Sequence, residues 1–158
     1  MFDESSFIGK GTNVILHNIT LTGGKSVVGA GVFIILANRY SGGFVKFTSA
    51  TVTANNATGP SYNLRQKGGG VYVFDGELEM VDSEVTYNYA PHGAGFAFES
   101  GVRVTLTNTR VVGNVCPLRK DTRTDDGSLV PGYGAGMYQT GDFPEGNFYG
   151  VYWMGNVS

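Results

Sequence analysis

The sequence predicts an all-β chain wound as a right-handed parallel β-helix, a solenoid of about four to five coils. Three observations carry that prediction. A seven-residue pattern recurs four times without gaps. A glycine cluster running into an apolar strand recurs four times beside it. The chain is rich in glycine and aromatics and poor in charge, with 25 glycines and 15% charged residues where about 25% is usual.

Leu16, Phe47, Met80 and Leu106 open the four copies, each a large apolar residue. The third position holds Asn18, Ser49, Asp82 and Asn108, all small and polar. Such side chains mark bends, because they hydrogen-bond nearby backbone or the same position one coil away. Leu21, Val52, Val85 and Val111 fill the sixth position, and Gly24, Asn55, Asn88 and Asn114 the ninth.

The glycine clusters begin at Gly29, Gly68, Gly93 and Gly134. Glycine there permits a sharp turn or a close approach of backbone. The second and third clusters are 25 residues apart; the other spacings, 39 and 41, equal that period plus an insertion. In the cleanest turn, strands are expected over 70–74, 77–81 and 84–87, with a turn at Asp75-Gly76 and a bend at Asp82-Ser83. Strands this short at this period suit about three sheets per coil, and each coil must stack on its neighbours to bury its apolar face.

Alternation then predicts the columns. Leu78 lies over Val104, Met80 over Leu106, Val85 over Val111, and Val71 and Val73 over Phe96 and Phe98. Lys46, Glu79 and Thr105 point outward, as do Tyr72, Tyr138 and Trp153. A helical chain is excluded, because glycine interrupts every window and no long 3.6-period stripe exists.

The whole chain, 1–158, reads as one segment, with copies near 14–24, 44–57, 78–90, 104–115 and 152–158. In the last copy Met154 is expected at the Leu106 position and Asn156 at the Asn108 position. The pattern stops inside that copy without a capping element, so a fragment of a longer solenoid is expected. Other protein segments or subunits would stack on its ends.

Composition excludes several classes of function. The net charge of −2 supplies no basic footprint for nucleic acid. The dense basic cluster of Arg119, Lys120 and Arg123 is neutralised by Asp121, Asp125 and Asp126. No apolar run is long enough to span a membrane, and the first residues have no signal-peptide character. Cys116 is the lone cysteine, so no disulfide or thiolate metal site forms within the chain.

Insertions at 57–67 and 115–133 both follow the ninth position and should project from one edge. That edge is a candidate binding face carrying Tyr62, Arg65, Arg119, Asp125, Asp126 and Tyr133. A third insertion, at 140–147, follows a glycine strand. Asp125-Asp126 is the one adjacent carboxylate pair, and it falls in a loop. Inverting glycosidases instead hold two carboxylates about 6.5–9.5 Å apart across the sugar bond. The acids of the coil around Asp75 to Glu84 meet neutral residues in neighbouring coils, so no acidic ladder arises. His17 and His92 fall in different phases of the repeat. No catalytic residue, metal or cofactor is therefore expected. Sequons at Asn18, Asn56 and Asn156 predict N-glycosylation, with Asn18 and Asn156 at the same exposed bend.

The glycine strands Gly68-Gly69-Gly70-Val71-Tyr72, Gly93-Ala94-Gly95-Phe96-Ala97-Phe98 and Gly134-Ala135-Gly136-Met137-Tyr138 alternate with bend strands ending in Asn55-Asn56-Ala57 and Asn88-Tyr89-Ala90. Together they resemble the repeats of polymorphic outer membrane proteins and, more broadly, the pectin-lyase-like right-handed β-helix superfamily. The resemblance covers about 12–158 and lacks the Phe-x-x-Asn tetrapeptides of the polymorphic type. It implies an extracellular or cell-surface protein. The expected function is a non-catalytic structural or adhesive segment of such a protein or of a filament, with glycans as possible partners. A carbohydrate-binding or carbohydrate-cleaving β-helix is one alternative, and an autotransporter passenger segment is another.

Overall fold

The computed structural model describes residues 13–35, 43–58, 66–99, 101–117, 134–140 and 145–157. Among these residues, fourteen strands fall into successive repeats. The first contains β1 (Val14–His17), β2 (Thr20–Thr22) and β3 (Val32–Ile35). The second contains β4 (Phe44–Thr48), β5 (Thr51–Thr53) and β6 (Val71–Asp75). The third contains β7 (Glu77–Val81), β8 (Glu84–Thr86) and β9 (Phe96–Phe98). The fourth contains β10 (Arg103–Thr107), β11 (Arg110–Val112) and β12 (Met137–Gln139), and the fifth β13 (Glu145–Tyr149) and β14 (Tyr152–Met154).

Three parallel sheets result: the first two take one strand from each of the five repeats, and the third takes one from each of the first four. The first runs β1-β4-β7-β10-β13, the second β2-β5-β8-β11-β14 and the third β3-β6-β9-β12. Equivalent residues therefore stack. Leu16, Phe47, Met80 and Leu106 form one column of the first sheet, and Leu21, Val52, Val85 and Val111 one of the second. In the third, Val32, Val71, Phe96 and Met137 align. Every pairing expected from alternation occurs: Leu78 with Val104, Met80 with Leu106, and Val71 and Val73 with Phe96 and Phe98. These columns meet in one core in which Phe47, Leu78, Met80, Val85, Phe96 and Leu106 are fully buried. Burial stabilises by about 1.5–3 kcal/mol per large side chain.

The corners explain the small polar residues. Asn18, Ser49, Asp82 and Asn108 all hold left-handed backbone, with φ of 52°, 53°, 48° and 48°. Asn and Asp tolerate that region better than other side chains, because their short polar groups bond locally. Glycine at Gly70 serves a different need. A Cβ there would lie 2.6 Å from the Gly95 carbonyl oxygen of the next repeat, so only glycine lets the chains stack so closely.

The fifth repeat departs from expectation. Phe148, not Met154, pairs with Leu106, and Trp153 pairs with Val111. Gly150 follows at the third position, with φ of 59°. Glycine meets the same left-handed requirement as asparagine but carries no polar signature in the sequence. The insertion expected over 140–147 is also shorter, since β13 begins at Glu145.

Candidate functional site

The outer face of the third sheet gathers side chains with chemical potential. Parallel register puts Phe33, Tyr72, Ala97 and Tyr138 in one row. Val28, Lys67 and His92 pair in a row before it. Phe33 stacks on Tyr72 with centroids 5.3 Å apart, and His92 packs on Tyr138 at 5.2 Å. Glu99 follows β9 and is the hub of a polar network. Its Oε1 accepts from Lys67 Nζ at 2.6 Å and from the Tyr72 hydroxyl at 3.0 Å, and its Oε2 accepts from Thr140 Oγ1. The Lys67 ammonium also lies 5.7 Å from the centroid of the Tyr138 ring, within reach of a cation–π contact.

These groups adjoin a cavity of about 400 Å³ walled by Val28, Phe33, Ile35, Phe74, Lys67, Tyr72 and Glu99. Phe33, Ile35 and Phe74 are about half exposed on its apolar side. An apolar wall with a few oriented polar groups is the usual make-up of a small-molecule site.

Electrostatics limit what the site can do. Burial opposes ionisation of Glu99, but hydrogen bonds from Lys67, Thr140 and Tyr72, together with the Lys67 charge, outweigh it. The carboxyl is held below its ordinary range. Burial pushes the Tyr72 hydroxyl up, and Glu99 adds to the rise through its hydrogen bond and its charge. A general acid would need a raised carboxyl pKa and a general base one nearer neutrality. Glu99 is instead a fixed anion, suited to orienting hydroxyl or amine donors.

A second feature runs through the interior. Asn55, Asn88, Asn114 and Asn156 form a ladder at the ninth position. The Oδ1 of each later residue accepts from both the backbone N and the Nδ2 of the one before it, every contact at 3.0 Å. Each Nδ2 also donates to a backbone carbonyl of the preceding repeat: Leu21, Val52, Val85 and Val111 in turn. At the start, Asn55 Oδ1 accepts from Gly24 N. Beside the ladder, Ala57, Ala90 and Cys116 form a small buried cluster, where burial pushes the Cys116 thiol up to about 11 even though backbone hydrogen bonds at Ala94 and Gly93 lower it.

The residues singled out from sequence scatter. Tyr62, Arg65, Arg119, Asp125, Asp126 and Tyr133 lie outside the described residues. Asn18 is exposed at its corner. Asn56 is half-buried, and its Oδ1 accepts from the Thr58 hydroxyl at 2.7 Å. Asn156 is not at the Asn18 corner; it is a ladder residue, and its Nδ2 already donates to the Val111 carbonyl. Tyr72 faces outward as expected but is buried, at 6% exposure. Trp153 occupies the inward column with Val111 rather than an outer position. The Lys67–Glu99 pair has no signature in the sequence, because its members are 32 residues apart. The ladder left one trace, asparagine at the ninth position of three copies.

No family model matches the chain, and neither curated proteins nor solved structures give a significant match.

Proposed function

We propose that the chain is a segment of right-handed parallel β-helix with a non-catalytic structural or adhesive role in an extracellular or cell-surface protein. The observation that carries this reading is where the polar groups are spent. The buried amides of Asn55, Asn88 and Asn114 bond from repeat to repeat, and the Glu99 carboxylate is engaged by three donors. Such an arrangement favours cohesion between repeats over turnover of a substrate. The exposed corner at Asn18 supports a glycosylated surface, and the polymorphic, pectin-lyase-like repeat pattern fits the same reading. Antibodies raised against the purified chain should label intact, unpermeabilised cells that express it. Labelling only after permeabilisation would overturn the assignment.

The cavity beside Glu99 favours a second reading, carbohydrate binding. A sugar ring presents an apolar face that suits Phe33 and Phe74, and hydroxyls that suit Glu99 and Lys67. A glycan array should then give signals that fall at least about tenfold in a Phe33→Ala, Phe74→Ala double variant, as expected for loss of two apolar contacts. An array blank for both proteins removes this reading and leaves the structural one in place.

A further inference from the structure

The asparagine ladder has a direction, and the direction leaves one end open. In each step the earlier residue donates and the later one accepts. Gly24 begins the series with a backbone N–H that Asn55 satisfies at 2.9 Å, and it has no side chain that needs a partner on its other side. Asn156 ends it. Its Oδ1 is filled by Asn114, and one Nδ2 hydrogen is filled by the Val111 carbonyl. Its backbone N–H and its second Nδ2 hydrogen have no acceptor among the described residues.

Around those donors lies an apolar surface in the register of the core. Phe148 and Trp153 continue the columns of Leu106 and Val111. Leu106 and Val111 are fully buried, whereas Phe148 and Trp153 are 39% and 41% exposed. The two rings meet edge to face at 6.3 Å. Among the described residues β13 and β14 are the last strands of their sheets and each has a single neighbour, which leaves one backbone edge of each without a strand partner there.

We propose that this end is a docking surface for one further β-strand repeat, and that the incoming repeat must carry asparagine opposite Asn156. The chemistry follows from the three steps already built. The incoming Oδ1 accepts from Asn156 N and Nδ2, and the incoming Nδ2 donates to the Trp153 carbonyl, as Asn156 does to Val111. Aspartate supplies the acceptor but not the donor. Apolar residues opposite Phe148 and Trp153 complete the columns. A second copy of this chain is a poor occupant, because its corresponding residue at the facing end, Gly24, supplies neither group. This inference rests on the structural reading above and specifies the partner of that segment.

Trp153 is the chain's one tryptophan, so its fluorescence reports on this end alone. The test titrates the full 158-residue chain with a synthetic peptide of residues 104–117 carrying Cys116→Ser. That peptide bears the β10 and β11 pattern with Asn114 at the ladder position. Saturable binding with a blue shift of Trp153 emission is expected. Peptides with Asn114→Ala or Asn114→Asp should bind at least about tenfold more weakly, since each loses hydrogen bonds to the ladder. No shift with the Asn114 peptide, or equal shifts with all three, overturns the proposal. Sedimentation of the chain alone should show a monomer; a dimer with a blue-shifted Trp153 makes a second copy the occupant and overturns it too. Cell-surface labelling with no peptide binding removes this docking chemistry alone. Peptide binding without surface labelling removes the assigned location and leaves the docking chemistry standing.

Discussion

Among the described residues, six other than glycine hold left-handed backbone: Asn18, Ser49, Ala54, Asp82, Tyr87 and Asn108. Ala54, with φ of 54°, has an exposed methyl group and no side-chain polar atom that could bond locally as those of Asn and Asp do. Left-handed backbone costs an ordinary residue about 1–2 kcal/mol, and glycine loses about 0.4–1 kcal/mol more unfolded-state entropy on folding. Ala54→Gly should therefore stabilise the chain by about 0.5 kcal/mol in urea unfolding. The ladder predicts the opposite sign for Asn88→Ala. Asn88 Oδ1 receives Asn55 N and Nδ2, and Asn88 Nδ2 reaches Val52 and Asn114, all at 3.0 Å in the buried interior. Truncation strands those partners without water, at about 1–3 kcal/mol for each buried group left unsatisfied. A loss of at least about 2 kcal/mol is expected. A loss within the scatter of surface substitutions would mean that water replaces the amide.

Among the elements, the third sheet has a titratable group at its end that should make stability depend on pH. Glu99 has a folded-state pKa below its unfolded value, since Lys67, Thr140 and Tyr72 together overcome the effect of burial. Its contribution is therefore complete above the unfolded carboxylate range and disappears as pH falls through the depressed folded value. Glu99→Gln should lower stability at neutral pH, flatten the acid limb of the pH profile, and converge with the parent only once the pH has fallen below the depressed folded-state pKa. Parallel profiles would show that another carboxylate governs the acid limb. These elements also separate what a sequence displays from what it conceals. Inward columns such as Leu78 and Met80 are legible because alternation is local and of period two. Corners are legible where Asn or Asp fills them, and are lost at Gly150. The Glu99 network is not legible. Its members sit in segments brought together only by stacking, and the outward face of Tyr72 says nothing about the Phe33 ring that covers it.

At the scale of the whole molecule, each repeat bonds only to its neighbours, so stability should follow the number of repeats and their phase. Asn88 and Asn114 are 26 residues apart, and so are the paired residues Leu78 and Val104. Deleting 79–104 joins Leu78 to Thr105 in phase. Phe47 then faces Leu106, Val52 faces Val111, and Asn55 faces Asn114, so columns and ladder both close. The Lys46–Glu79 and Lys67–Glu99 ion pairs are lost. The shortened chain should still unfold in one cooperative step, with a lower midpoint and a denaturant slope reduced by about one sixth, since the slope scales with the surface exposed. Deleting 79–103 instead sets Val104 directly after Leu78. That single extra residue shifts the strand and turns its inward side chains outward. Circular dichroism and urea titration of the two deletions separate the cases: a cooperative transition is expected for the first and none for the second. If both chains fold alike, the corners absorb register, and phase is held by the loops rather than by the stacked columns.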